Sequence, residues 1–181
     1  MTVSTPPSAG ADLVDQLARL APDSPIHLVR HRREKVALAT QGSYDALFDA
    51  DLPGLSLLER LLVALYACRL TPALALAAHY RERAVAAGAD GAVLAAVESG
   101  DPQGLADTRL RAMLAFTRIL ILSPIEGDRA LLNTLPAAGI STPAIVTLAQ
   151  LIAFLSYQTR LVAGLSAMRA ARETTNAEAA R

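Results

Sequence analysis

Apolar positions recur along this chain at helical spacing, and no segment alternates polar and apolar residues for long enough to be a strand. Asp12 to Leu20 is short and amphipathic. Ser24 followed by Pro25 is an N-cap with proline at the first helical position, and predicts a helix to about Ala39. On that helix His27, Arg30, His31 and Glu34 share one face, which should be wet. The stretch 42–48 suggests a short helix, and 49–54 a loop. Ser56 and Glu59 form a capping box at the head of a helix over 56–70. Thr71 and Pro72 should open the next helix, with Gly88 ending it. A short helix follows Asp90. A long apolar helix is expected from about Asp107 to Leu122. Ser123, Pro124 and Glu126 read as a second capping box, and that helix should stop near Gly139. Thr142 and Pro143 open the last long helix, to about Met168. The expectation is an all-α, single-domain bundle of seven or eight helices over 10–168, with a flexible 1–9 and a polar, frayed tail over 169–181.

Two segments echo one another, LTP…AAG at 70–88 and LSP…AAG at 122–139. We read them as two uses of common capping chemistry rather than a duplication.

Composition narrows the classes of function. Of 181 residues, 52% are apolar and only 4% aromatic, so Leu, Ala and Val must build the interior. Seventeen basic and seventeen acidic residues cancel, which removes the electrostatic reason to expect nucleic acid or an anionic membrane as partner. The stretch 61–79 is broken by Arg69 and Pro72, and 143–157 is short and carries Gln150. No run is therefore expected to reach membrane length, and the N-terminus lacks the order of a signal peptide. A cytoplasmic protein is expected. The positive mean hydropathy implies apolar helix face covered by another subunit, hence a homo-oligomer.

One cysteine, Cys68, excludes an internal disulfide framework and a cysteine-cluster metal site. Late in its helix, at the negative end of the dipole, it reads as a small core residue. His27 and His31 are four apart and so form a potential pair of ligands. They sit among cations and lack an HExxH-like context, so the reading is solvated helix surface, with no metal and no cofactor.

The segment LSLLERLLVALYACRLTPALALAAHYRERAVAAGAD resembles the carboxymuconolactone decarboxylase and alkylhydroperoxidase D superfamily. The later DTRLRAMLAFTRILILSP and LPAAGISTPAIVTLAQLIAFLSYQTRLVAGL, and the upstream ATQGSYDALF, are similar to its peroxidase-related branch. The resemblance covers about residues 26–168 and implies a bundle of the alkylhydroperoxidase D-like type. Peroxidases of that family place two cysteines between a glutamate and a histidine. One thiol attacks, the other resolves, and the Glu and His move protons. Counted from Glu59, the two cysteine positions fall on Thr71 and Leu74. Counted back from His79, they fall on Pro72 and Ala75. The resemblance therefore implies a protein of this redox-associated family without the dithiol.

Three functions are compatible with this. The first is a protein without dithiol peroxidase activity that binds a small molecule or assists an oxidoreductase. The second is a cofactor-free acid–base enzyme of decarboxylase or lactone type, with His79 and Glu59 as its catalytic pair. Such an enzyme needs a cation for the substrate carboxylate. Arg60, Arg69 and Arg83 are candidates, with Tyr66, Tyr80 and Arg160 as further binding residues. The third is a structural oligomer subunit. Each candidate has a plainer role: Glu59 as cap partner, His79 as an exposed polar edge beside Glu82 and Arg83, the tyrosines as core, Arg160 in an interface ion pair. Gln150, Ser156 and Gln158 are read as contacts between helices.

Overall fold

The computed structural model describes residues 12–179. The loose segment expected over 1–9 lies outside them. The described residues hold nine α-helices, two single 3₁₀ turns and no strand. By their contacts they divide into two compact units. One comprises residues up to Gln41 together with those from Leu161 onward, and the other is Gly42–Arg160. The boundaries fall inside two helices, α3 (Glu34–Leu47) and α9 (Thr142–Ala179).

In the first unit, α1 (Leu13–Ala18) starts at Asp12, whose side chain accepts from the Asp15 N–H. Helix α2 (Pro25–His31) starts at Ser24, as its Ser-Pro signal predicts. The helix expected to run to Ala39 instead breaks at Arg32 and Arg33, and α3 begins at Glu34. On the face expected to be wet, Glu34 is exposed and the two histidines are partly so, but the Arg30 side chain is not. The Arg30 side chain is only 6% exposed, because it reaches the carboxylates of Asp12 and Asp15 on α1. At the other end of the chain, α9 passes Met168 and continues to Ala179. The tail carries helix-favouring Ala, Arg and Glu, and Arg169 ties it down. Its guanidinium donates to the Ala18 carbonyl at 3.3 Å and to Glu173, one turn on, at 2.6 Å.

In the second unit, α4 (Leu57–Leu70) is the centre. From Leu61 to Cys68 every residue is buried. Each buried Leu or Val there contributes roughly 1.5–3 kcal/mol relative to exposure. The capping box closes as expected: Ser56 Oγ accepts from the Glu59 N–H, and Glu59 Oε2 accepts from the Ser56 N–H. Helices α5 (Leu74–Ala86), α6 (Gly91–Ser99) and α7 (Thr108–Leu122) pack against α4. Gly88 takes φ +84°, where a side chain would be strained, and the Ala89 N–H returns to the Ala84 carbonyl to close α5.

Two predicted starts differ. Thr71 does not cap α5; its hydroxyl donates back to the Ala67 carbonyl at 2.9 Å and ends α4. Ala73 precedes α5 with no side-chain cap. The Ser123 box does not form either. Residues Pro124–Glu126 make only a 3₁₀ turn, and α8 (Arg129–Ala137) is capped by Asp128. In both cases proline at the first position suits a turn as well as a helix, and the backbone downstream decides. Gly54, at φ +90°, lies so close to α9 that a Cβ there would sit 3.2 Å from that of Ala144.

Helix α9 overturns the expectation that no run reaches membrane length. Its stretch Thr142–Asn176 is long and apolar enough to cross a bilayer by length and composition, and 39% of its most apolar window is buried. The apolar run bounded at 157 is joined by helical continuity to Leu161, Val162 and Leu165 beyond.

Candidate functional site

The single thiol lies in the interior of the Gly42–Arg160 unit. Cys68 is buried within α4, and burial pushes its pKa up to about 12, so the nucleophilic thiolate is not formed at neutral pH.

The structure does not join His79 to Glu59. Both oxygens of Glu59 are taken: Oε2 by the capping box, and Oε1 by Arg109 Nε at 2.6 Å. Arg109 also donates to the carbonyls of Gly139 and Gly54, at 2.9 and 2.8 Å. Glu59 thus belongs to a knot that ties the start of α7 to the loop before α4 and to the Gly139 carbonyl.

His79, on α5, faces Tyr44 on α3 instead. Its Nε2 lies 2.7 Å from the Tyr44 hydroxyl, and Arg83, one turn along α5, donates to that same hydroxyl at 2.5 Å. Tyr44 therefore accepts from Arg83 and donates to a neutral His79. The Arg83 guanidinium lies 5.4 Å from the ring centre of Tyr44 and 5.3 Å from that of Phe48, within cation–π range. Burial first, and the Arg83 charge second, push the His79 pKa below its ordinary value. Burial raises that of Tyr44 against the opposing pull of Arg83. The imidazole is neutral and the phenol protonated at neutral pH, and each is already the other's partner.

A pH effect is expected from this pairing. The unfolded chain takes up a proton near the ordinary histidine pKa, and the folded chain only below it. Folding stability therefore falls as pH drops through that value toward the lower folded one. Acidification from pH 7.5 to 5 should cost wild type more, in urea melts, than it costs His79→Gln. An equal loss in both proteins would refute this assignment.

The other candidates separate. Tyr80 is fully buried between Phe48 and His79, and donates to Gln158 Oε1 at 2.6 Å. Gln158 thus makes the expected contact between helices, while Gln150 is exposed. Arg160 is exposed and donates to the Ser156 carbonyl one turn back at 2.6 Å; no ion pair involving it is present among the described residues. None of the three proposed carboxylate clamps is free. Arg60 is fully buried on backbone carbonyls, Arg69 donates to the Glu98 carbonyl at 3.3 Å, and Arg83 serves Tyr44.

The open space lies elsewhere in this unit. A cleft of about 680 Å³ runs between the loop after α6, one face of α7, and α8. Tyr66 lines it, with its hydroxyl donating to the Gly100 carbonyl at 3.2 Å, whereas Glu59 and His79 do not. Along α7 the cleft meets Thr108, Arg111, Ala115 and Arg118, which recur every three or four residues and so share one face, with Ile119 beside them. Arg111 is anchored on the Leu105 carbonyl, with the Ala106 carbonyl at 3.4 Å. Arg118 is exposed and has no hydrogen bond or ion pair among the described residues. Asp101 is the one carboxylate in the lining, against two guanidinium groups. Arg111 and Arg118, seven residues apart on a mainly apolar helix, are the signal in the sequence, and the apolar content of that run masks it.

A helical protein with a buried thiol and a cleft lined by two guanidinium groups is the class these observations define. No family model and no curated protein sequence matches the chain.

Proposed function

We propose that this is an alkylhydroperoxidase D-like protein without dithiol peroxidase activity, and that it binds a small anionic molecule in the cleft between α6, α7 and α8. The carrying observation is Arg118, an unpaired guanidinium in a 680 Å³ cleft beside Arg111, with Ile119 and Leu131 as apolar wall. Guanidinium groups recognise carboxylates by paired hydrogen bonds, and the apolar wall suits a short carbon skeleton. The buried thiol supports the first half of the reading. The acid–base alternative loses its second group, since Glu59 is held by Arg109. The structural-subunit alternative is disfavoured by a cleft that is not filled with side chains.

A thermal-shift screen of small carboxylates against their neutral amides tests the proposal. A carboxylate should raise the melting temperature where its amide does not, and Arg118→Ala should weaken that ligand about tenfold, a loss of about 1.4 kcal/mol. Absence of any carboxylate response, or an unchanged affinity in the variant, would sink the reading. We further propose a cytoplasmic homo-oligomer. Val146 and Tyr157 lie on the exposed side of α9, a surface that a second subunit would cover.

A further inference from the structure

The unit formed by the two ends of the chain carries a second constellation, independent of the cleft. Helix α2 presents His27 and His31 four residues apart, one turn along the same face. Helix α1 presents Asp15 to both. Asp15 Oδ2 lies 2.7 Å from His31 Nε2 and 3.7 Å from His27 Nε2, and the two imidazole centroids are 4.3 Å apart. One donor atom from each of the three side chains falls within 4.8 Å of the others.

We propose that Asp15, His27 and His31 form a binding site for a divalent transition metal, zinc by preference, with the remaining coordination position open to water. Three features of the cluster argue for a metal rather than a plain ion pair. The first is the division of the carboxylate. Arg30 Nη1 holds Oδ1 at 2.8 Å, while both imidazoles converge on Oδ2. A ligating carboxylate oriented by a hydrogen bond on its other oxygen is the usual second layer of a metal site.

The second feature is His27. At 3.7 Å its Nε2 is too far from Asp15 for a hydrogen bond, and its Nδ1 is buried without a partner. Among the described residues, this ring makes no hydrogen bond. It nevertheless stands half-enclosed beside a second imidazole and a carboxylate. A metal ion bound at about 2.0–2.1 Å would give Nε2, the nitrogen that faces Asp15, the partner it lacks, and would need its donors about 3.3 Å apart, between the two Asp15 distances observed.

The third feature is charge. With neutral imidazoles, Asp12 and Asp15 against Arg30 leave one net negative charge, which favours a cation. Arg30 Nη1 also lies 3.2 Å from His31 Nε2, and its own charge is met by Asp12 at 3.0 Å. Two nitrogen donors and one oxygen suit zinc and its neighbours, and do not suit magnesium or calcium, which take oxygen.

The histidine pair alone is legible in the sequence, where it reads as solvated surface. Asp15 lies twelve and sixteen residues earlier, so only the packing of α1 beside α2 supplies the third donor.

Zinc titrated into the metal-free full chain, in competition with a chromophoric chelator, tests this. One zinc per chain is expected, undisturbed by millimolar magnesium, with His27→Ala and His31→Ala each weakening it about a hundredfold. Both histidines are partly exposed and cap no helix with their side chains, so circular dichroism should show unchanged helix content. Should a variant fail to fold, the histidine ring signals of the wild type decide by NMR. Zinc should shift those of His27 and His31 and leave those of His79 in place. Absence of stoichiometric binding, wild-type affinity in both variants, or a shift confined to His79 would overturn the proposal.

Discussion

Replacing Arg60 with methionine is expected to destabilise the Gly42–Arg160 unit by about 2–4 kcal/mol. Arg60 is 0% exposed, on the first turns of α4. Its guanidinium has backbone carbonyls as partners: Leu47 at 2.7 Å, Asp49 at 2.8 Å and Ser56 at 3.3 Å. Burial, the largest effect, lowers its pKa, and the Asp49 charge opposes this. These bonds tie the end of α3 and the loop that follows it to the first turn of α4. Methionine fills part of the space but leaves the Leu47 carbonyl without its guanidinium donor, which is the costly half of a broken buried hydrogen bond; Asp49 and Ser56 keep the backbone N–H groups of Leu52 and Arg60. Arg60→Lys keeps the charge but cannot span the same carbonyls, and should recover only part of the loss. Urea denaturation measures both. Arg160→Ala, on the exposed face of α9, should change stability by less than about 0.5 kcal/mol and serves as reference. A loss at Arg60→Met no larger than that reference would remove the guanidinium from its assigned role.

Tyr80→Phe is the second large effect, at about 1–3 kcal/mol. Gln158 is 1% exposed, and its Nε2 already has no partner. Loss of the Tyr80 hydroxyl would leave the whole amide buried and unsatisfied. Gln158→Leu alone should be costly too, because it strands the hydroxyl. The double variant should be clearly more stable than the sum of the two losses implies, since an apolar pair of similar size leaves nothing unsatisfied. A double-mutant cycle by thermal or urea unfolding reads the coupling directly. Simple additivity would show that the 2.6 Å contact contributes nothing beyond its packing.

The reach of sequence reasoning differs between the local and the distant. Ser24, Ser56 and Asp90 mark helix starts where they stand, because a cap acts through N–H groups two or three residues away. Thr71 and Ser123 fail as starts, because a Ser/Thr–Pro pair also serves a turn, and the choice between the two rests with the downstream backbone. Past Met168, Arg169 of α9 meets the Ala18 carbonyl, a partner 151 residues away that spacing does not reveal.

The candidate site divides the same way. The burial of Cys68 and the capping role of Glu59 were legible, since both depend on position within one helix. That Glu59 would be drawn to Arg109 and His79 to Tyr44 was not, since each pairing joins residues at least 35 positions apart.

By itself, the amino-acid sequence determined an all-helical chain, the positions of most helix starts and stops, and the absence of a cysteine pair. These come from hydrogen bonds and periodicities that act within about four residues. The tertiary structure alone decided which polar groups meet, which guanidinium groups line a cleft, and which carboxylate lies beside two histidines. Those outcomes turn on how helices far apart in the chain pack, and spacing along the sequence does not encode the partner that a folded neighbour brings within about 3 Å.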